Sequence, residues 1–237
     1  MISITLNNFL FIKREVKYFA DKPVFLFNFL TTYIQSNSLE KHFGFKRIPK
    51  FTKVVNLTLS NDEIFNGLNK TTKNEVNRSE RDDIKIDFTL SYDKFKKWYD
   101  QFAESKKLAP LHDNDYFKNN IFISTAYFEG KPVVCHAYIL DEESKIARVL
   151  HSASVLPDVE DKTFRGLIGR VHKYLHYKDM LYFKKNNYLG YDFGGYAFGT
   201  SNAKLQGINK FKDGFGGDLV EQSNYIPFLI NLLLKII

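Results

Sequence analysis

The sequence has one cysteine and no long hydrophobic run. Cys135 alone excludes an internal disulfide and a multi-cysteine metal site. No apolar stretch reaches the about 20 residues that a membrane-spanning helix needs, and residues 1–6 lack the basic leader and apolar core of a secretion signal. We therefore expect a cytoplasmic protein in which Cys135 is a packed core thiol rather than a nucleophile.

Apolar and aromatic residues are plentiful. Hydrophobic residues make up 44% and aromatic residues 16% of the 237 positions, so the chain is far from the composition of a disordered protein and can fold around one substantial core. We predict an extension over residues 1–57, of mixed structure, packed on one domain over residues 58–237. The formal net charge of +7 indicates a solvated lysine-rich surface or an anionic partner.

Local patterns in the first half predict two helices and a strand. Ser60 and Glu63 form a capping box at the start of a helix that should run to about Glu80. Alternation of apolar and polar residues predicts a strand over 84–90, and aromatic residues at helical spacing predict a helix over 92–107.

The second half predicts a mixed sheet. Three β-rich runs with short connections form an antiparallel meander, over residues 121–128, 132–140 and 146–152. A helix over 164–185 then leads to a strand over 188–193, and such a crossover joins parallel neighbours. We further predict a helix over 203–212, a strand over 218–222, and an apolar segment over 226–237 that packs internally, on a partner subunit or on a membrane surface.

The start of the helix over 164–185 is a first candidate site. Free backbone amides and cations at a helix N-terminus can hold a phosphate. The candidate residues for binding a co-substrate there are Arg165, Gly166, Gly169 and Arg170. A flexible helix start with solvated arginines explains the same residues equally well, and acidic residues before the helix oppose strong anion binding.

The end of the strand over 188–193 is a second candidate site, because ligands bind at the carboxyl ends of strands in open mixed sheets. Asp192 lies in an apolar strand end, where a carboxylate is costly to bury unless it is bonded or functional, so it is a candidate general base. Its neighbours are candidate substrate-binding residues, namely Tyr191, Gly194, Gly195 and Tyr196. The alternative is that Asp192 only caps a turn.

Residues 208–217 are a third candidate, since lysines alternate with aromatic residues before a glycine pair. Such a segment can offer cations to a phosphate and rings to a base or sugar. The substrate-binding candidates are Lys210, Lys212, Phe215 and Gly216. A helix C-cap accounts for the glycines as well.

Two histidines, His172 and His176, lie one helical turn apart. The segment lacks the glutamate of a zinc-binding HExxH pattern and shows no third ligand nearby, so we predict no metal site. His176, with Asp179, is instead a candidate to line the cleft and act as a base. His136 and His151 lie in the meander and can face either the core or the site; we expect a structural role for each.

Four segments together resemble the Fem-like and GNAT-type acyltransferases known as peptidoglycan-bridge-formation proteins: residues 68–80, 173–184, 191–195 and 210–221. The resemblance covers about residues 55–225 and implies an α+β GNAT (acyl-CoA N-acyltransferase-like) fold, with a mixed, mostly antiparallel sheet flanked by helices. It implies transfer of an acyl or aminoacyl group to an amine of a cell-envelope sugar or peptide precursor, as in cell-envelope polysaccharide biosynthesis. It also raises Arg78, on the basic helix, to a candidate substrate-binding residue.

The acyl donor is left open. The segment from Arg165 to Arg170 does not keep the Arg/Gln-x-x-Gly-x-Gly/Ala spacing of acetyl-CoA-binding loops, so both acyl-CoA and aminoacyl-tRNA are candidate co-substrates, with no tightly bound cofactor. The expected mechanism is direct attack of a neutral amine, with Asp192 or His176 removing the proton and strand-gap amides holding the oxyanion. The rival hypothesis is a non-catalytic module that binds tRNA or an anionic glycan carrier; we expect no DNA partner.

Overall fold

The computed structural model describes residues 1–7, 13–25, 30–111, 118, 120–155 and 161–236. The strands in this part of the chain are β1 Ile2–Asn7, β2 Lys13–Tyr18, β3 Thr31–Ser36, β4 Phe45–Asn56, β5 Lys85–Asp87, β6 Ile121–Phe128, β7 Lys131–Asp141, β8 Ile146–Ser154, β9 Gly190–Tyr196 and β10 Asp218–Pro227. The helices are α1 Asn61–Gly67, α2 Lys70–Arg81, α3 Tyr92–Lys106, α4 Lys162–Lys185, α5 Ala203–Asp213 and α6 Phe228–Ile236.

The strands form one sheet in the order β1-β2-β3-β10-β4-β9-β8-β7-β6-β5. Among the described strands, only the neighbours β2–β3 and β8–β9 are parallel. The sheet is therefore mixed and mostly antiparallel, as predicted.

The meander and the crossover are confirmed. Strands β6, β7 and β8 pair antiparallel in sequence, and α4 connects β8 to its parallel neighbour β9. The β6–β7 turn has positive φ at Glu129 and Gly130 (50° and 73°), which matches the right-handed twist of the strands it joins.

The helical region after Ser60 differs from the prediction in one respect. The capping box is present, because the Ser60 side chain accepts from the Glu63 amide and the Glu63 side chain accepts from the Ser60 amide. The prediction of one continuous helix to about Glu80 was wrong. Leu68 is extended, and the Asn69 side chain accepts from the Thr72 amide at 2.8 Å, so a second cap starts α2.

The first 57 residues contribute β1 to β4 to the same sheet. Strand β4 lies between β10 and β9, next to the strand that carries Asp192. The predicted extension therefore supplies a central strand as well as one end of the sheet.

Strand β10 is longer than the predicted strand over 218–222. It pairs with β4 over its full length, from Asp218 to Pro227, and on its other edge with β3. The predicted apolar segment over 226–237 therefore begins inside β10 and continues as α6. None of the described helices combines the length and the apolarity that crossing a bilayer requires.

The two faces of the meander are covered by different helices. Ile123, Cys135 and Ala137 pack with Phe95 of α3 on one face, whereas alternate residues such as Tyr138 pack with α4 on the other. Cys135 is fully buried, and burial raises the pKa of its thiol to about 12. The predicted core thiol is confirmed. The next residue, His136, stacks on His176 of α4, with ring centroids 3.9 Å apart.

Candidate active site

A cavity opens where the parallel strands β8 and β9 separate. The two strands pair only from Ile146–Gly190 to Arg148–Asp192, and beyond that point residues 149–152 and 193–195 lie on opposite sides of a space of about 530 Å³. Helix α4 contributes His172 and His176 to the lining, and α5 contributes Ile208, Phe211 and Lys212.

Glycine is required at the strand divergence. Gly194 has φ of +74°, and a Cβ there would lie 3.1 Å from the Val149 carbonyl oxygen. The pairing of β9 with β4 also shifts register at this point, which is typical of a bulge. Gly195 is exposed, and a Cβ there would meet nothing within 4 Å.

Asp192 is buried in an ion pair beside the cavity. Its Oδ2 accepts from Arg148 Nη1 at 2.6 Å, while Oδ1 accepts from the Gly194 amide at 2.7 Å and from the Thr52 hydroxyl. Burial lowers the pKa of Arg148, and the charge of Asp192 acts against that shift. Both oxygens of the carboxylate are engaged, so accepting a substrate proton would break one of these contacts.

The histidines that line the cavity are uncharged near neutral pH. Burial, followed by repulsion from neighbouring His136, lowers the pKa of His172 to about 3 and holds that of His176 well below its usual value. Burial alone lowers the pKa of His151 to about 4. Each imidazole therefore has one nitrogen with a lone pair at neutral pH.

A buried hydrogen-bond chain leads away from His176. Its Nδ1 lies 2.6 Å from the Tyr191 hydroxyl, which lies 2.8 Å from the Tyr138 hydroxyl, and Tyr138 donates to Asp179 Oδ2. The predicted neighbourhood of His176 and Asp179 thus exists, but two tyrosines connect them. Tyr191 is part of this chain and does not line the cavity.

A second chain reaches the same carboxylate. Asp179 Oδ2 lies 3.0 Å from His136 Nδ1, and His136 Nε2 lies 3.4 Å from His172 Nδ1. Ser124 also donates to Asp179 Oδ2, at 2.9 Å.

His136, His176 and Asp179 could together hold a metal ion, since their ligand atoms lie within 4.8 Å of one another. His136 was not predicted as a third ligand. The Tyr138 hydroxyl, however, donates to Asp179 Oδ2 and lies 3.2 Å from His136 Nδ1, so two of the candidate ligand atoms already have a hydrogen-bond partner. The geometry favours a hydrogen-bond network over metal ligation.

Lys212 places a cation at the cavity. Its Nζ donates to the Gly194 carbonyl at 3.1 Å and to that of Gly195. Burial lowers the pKa of Lys212 to about 8; the charge of Asp192 opposes this shift and that of Arg148 adds to it. The Lys212 side chain is thus mostly in its protonated, cationic form at neutral pH.

Other predicted substrate-binding residues lie outside the cavity lining. The Tyr196 hydroxyl donates to Asp213 at 3.0 Å, and Phe215 is buried in the core. Gly216 has φ of +73°, and a Cβ there would lie 2.7 Å from the Gly67 carbonyl oxygen, so its glycine reflects a close backbone approach. Lys210 and Arg78 are both exposed.

The predicted co-substrate residues are also separate from the cavity. Arg165, Gly166 and Gly169 are exposed near the start of α4, and Arg170 pairs with Asp82 at 2.9 Å. The Asp161 carboxylate accepts from the Phe164 amide at 2.8 Å and so occupies the start of the helix. Residues 156–160, which precede it, lie outside the described residues.

Sequence reasoning missed residues of β8 in the cavity lining, among them Val149 and Ser152, while Ile208 and Phe211 fall within the third candidate segment, 208–217. It placed His151 among the structural histidines and did not assign His172 to the cleft. Only His172 carried a usable signal, because it shares one face of α4 with His176 and Asp179. The others depend on where β8 and β9 separate, which a single sequence does not reveal.

No known family model matches the sequence, and a comparison with curated protein sequences finds no match. Among solved structures, FemX aligns with a TM-score of 0.61 at 13% identity, over 86% of this chain and 65% of the FemX chain. The C-terminal domain assigned to a lysylphosphatidylglycerol synthetase of Agrobacterium fabrum aligns with a TM-score of 0.56 at 13% identity, over 83% of this chain and 67% of that one. L-PGS from Bacillus licheniformis aligns with a TM-score of 0.55 at 14% identity, over 88% of this chain and 73% of that one.

These similarities concern the fold. The α+β GNAT-type fold and the resemblance to Fem-like proteins, both predicted from the sequence, are confirmed at that level. The matched part of this chain corresponds to less than two thirds of FemX.

Proposed function

We propose that this protein is an N-acyltransferase that transfers an acyl or aminoacyl group to an amine of a cell-envelope sugar or peptide precursor. One observation carries the proposal: the cavity between β8 and β9 is lined by the uncharged His176 and the cationic Lys212. The fold shared with FemX and with the lysylphosphatidylglycerol synthetase domain supports the same class of reaction.

In the proposed reaction, the nitrogen of a neutral amine attacks the donor carbonyl carbon. The new C–N bond forms as the carbonyl oxygen becomes an oxyanion, and His176 accepts the proton that the nitrogen loses. The bond to the leaving group then breaks, and the leaving sulfur or oxygen takes the proton from His176. The ammonium of the tetrahedral intermediate is more acidic than that of the free amine, which favours transfer of its proton to the imidazole.

The separated strands suit an oxyanion. Beyond Arg148 and Asp192 the facing edges of β8 and β9 no longer pair with each other, and both edges border the cavity. A backbone amide on such an edge is held rigidly by its sheet and can donate to charge that develops in the transition state. Asp192 contributes by holding Arg148 and the Gly194 bulge in place, and His176 rather than Asp192 takes the proton.

Lys212 is proposed to bind an anionic group of the substrate. Its ammonium borders the cavity and is already oriented by two carbonyl groups, so a phosphate or carboxylate can approach it at little ordering cost. The donor remains either acyl-CoA or aminoacyl-tRNA, bound as a co-substrate. Exposed cations such as Arg78 and Arg165 would meet its phosphates.

We further propose that the protein is cytoplasmic and binds peripherally to the membrane surface through α6. The exposed apolar side chains Phe228, Leu229 and Leu232 of α6 support this contact.

Calorimetric titration with acetyl-CoA and with free CoA, at low and moderate salt, tests the donor. Saturable binding at moderate salt supports acyl-CoA. If neither acetyl-CoA nor CoA binds in this way, the donor is tested by measuring transfer from radiolabelled aminoacyl-tRNA to amine acceptors. Salt-sensitive RNA binding with no transfer from either donor would overturn the enzyme proposal in favour of a non-catalytic RNA-binding module.

A further inference from the structure

Asp179 lies where the two buried hydrogen-bond chains meet, and each chain ends at a histidine of the cavity. Its Oδ2 is bonded to Tyr138, His136 and Ser124, whereas its buried Oδ1 has no hydrogen-bond partner among the described residues. The Tyr138 and Ser124 hydroxyls both donate to Oδ2, and a carboxyl oxygen that carries no proton only accepts, so Nδ1 of His136 must donate to it as well. The direction of every other bond along the chains follows from this.

The chain through the tyrosines fixes the proton of His176. Tyr138 has one hydroxyl proton, which Asp179 accepts, so the Tyr138 oxygen must accept from Tyr191, 2.8 Å away. The Tyr191 proton is then also committed, and its oxygen must accept from Nδ1 of His176 at 2.6 Å. A neutral His176 that carries its proton on Nδ1 has its lone pair on Nε2.

We propose that Asp179 is a positioning residue that acts through Tyr138 and Tyr191 to hold His176 in the Nδ1–H tautomer, so that Nε2 is its basic atom. The use of Nε2 as proton acceptor rests on the proposed function. The tautomer itself is a property of the free protein and needs no substrate.

The second chain provides an internal comparison. His136 donates to Asp179 directly from Nδ1, without a tyrosine between them, and continues to His172. A change at Tyr138 therefore interrupts the path to His176. It also removes the 3.2 Å contact of the Tyr138 hydroxyl with Nδ1 of His136, but that nitrogen keeps Asp179, at 3.0 Å, as its partner.

Nitrogen-15 NMR of histidine-labelled protein distinguishes the two neutral tautomers, and loss of one signal set in His176→Gln assigns the resonances. We expect Nδ1–H at His176 in the wild-type protein. In Tyr138→Phe, the Tyr191 hydroxyl can donate only to His176, so we expect a switch to Nε2–H while the signals of His172 stay unchanged. Tyr127→Phe, a half-buried tyrosine of β6 outside the network, is the matched control and should change neither histidine.

A wild-type His176 with its proton on Nε2, or an unchanged tautomer in Tyr138→Phe, would overturn the proposal. If Tyr138→Phe does not fold, Tyr191→Phe removes the hydroxyl next to His176, and His176 should then lose its single tautomer. Retention of Nδ1–H in that variant would count equally against the proposal.

Kinetics separates this proposal from the proposed function. With a working donor and acceptor, Tyr138→Phe should lower kcat at least about tenfold with little change in KM, because the basic nitrogen is lost while the binding groups remain. A switched tautomer with unchanged kcat would overturn the role of Nε2 as acceptor. A confirmed tautomer in a protein that transfers nothing would leave the positioning intact and refute the enzyme proposal.

Discussion

The guanidinium of Arg148 and the carboxylate of Asp192 form an ion pair, with 2.6 Å between Nη1 and Oδ2, at the last position where β8 and β9 pair. Both side chains are almost completely buried. The pair therefore lies at the inner end of the cavity, where it joins the two strands just before they separate. A buried ion pair at such a position contributes to the stability of the fold mainly because each charge compensates the other.

Asp192→Asn should destabilise the fold by about 3 kcal/mol, because it leaves the buried guanidinium of Arg148 without a counter-charge. Unfolding in urea, followed by circular dichroism, measures the change. The double variant Arg148→Met/Asp192→Leu is the control and should recover much of the loss, since neither charge is then buried. A stable Asp192→Asn protein that has lost turnover would contradict this and restore Asp192 as the general base.

His176→Gln should lower the rate of acyl transfer by about 10² to 10⁴, the usual contribution of a general base. His42→Gln is the matched control, because His42 is half-buried, bonds to Ser38 and lies outside the cavity lining. Single-turnover assays with each variant, after thermal melts have confirmed folding, give the comparison. Equal rates in the two variants would remove His176 from the mechanism.

Gly217→Ala should destabilise the protein by more than about 2 kcal/mol. The residue has φ of +76°, and a Cβ there would lie 2.3 Å from the Val54 carbonyl oxygen. Gly207→Ala is the opposite case: Gly207 lies in α5 with nothing within 4 Å of a new Cβ, so alanine should stabilise the helix by about 0.5–1 kcal/mol. Urea unfolding of both variants gives the change in unfolding free energy for each. Changes of the same sign in the two variants would be inconsistent with this geometry.

Lys212 should make stability rise with pH above about 8. Its folded-state pKa of about 8 lies below the 10.5 of an unperturbed lysine, so the unfolded chain binds the extra proton between these values. Lys212 therefore adds to the unfolding free energy as the pH rises across that window, whereas the raised pKa of the buried Cys135 acts in the opposite direction above about pH 9. The difference between wild type and Lys212→Met isolates the lysine contribution and should grow with pH. Lys210→Met, an exposed lysine of the same helix, should keep the wild-type slope. Identical slopes for both variants would contradict the lowered pKa.

The sequence predicted those parts of the fold that local patterns determine. Alternation and short turns located β6, β7 and β8, and the length of the intervening helix predicted the parallel pairing of β9. The break at Leu68 was missed although Asn69 is a good helix cap, because the box at Ser60 already explained a helix start.

Long-range pairing was beyond local patterns. Nothing in residues 1–57 indicates that β4 will lie between β9 and β10, since strand partners far apart in sequence are chosen by the whole sheet. The same limit applies to the site. Four predicted site residues do line the cavity: His176, Gly194, Gly195 and Lys212. The approach of His136 and Tyr138 to Asp179 was not predicted, because it depends on how α4 packs on the meander.

The position of β10 has a consequence during synthesis on the ribosome. Among the described strands β10 comes last in sequence, yet it lies between β3 and β4. Until it emerges, a nascent chain exposes the facing edges of both strands, and open edges of this kind invite pairing with other chains. The edges of β3 and β4 are therefore most open to pairing with other chains before β10 leaves the exit tunnel.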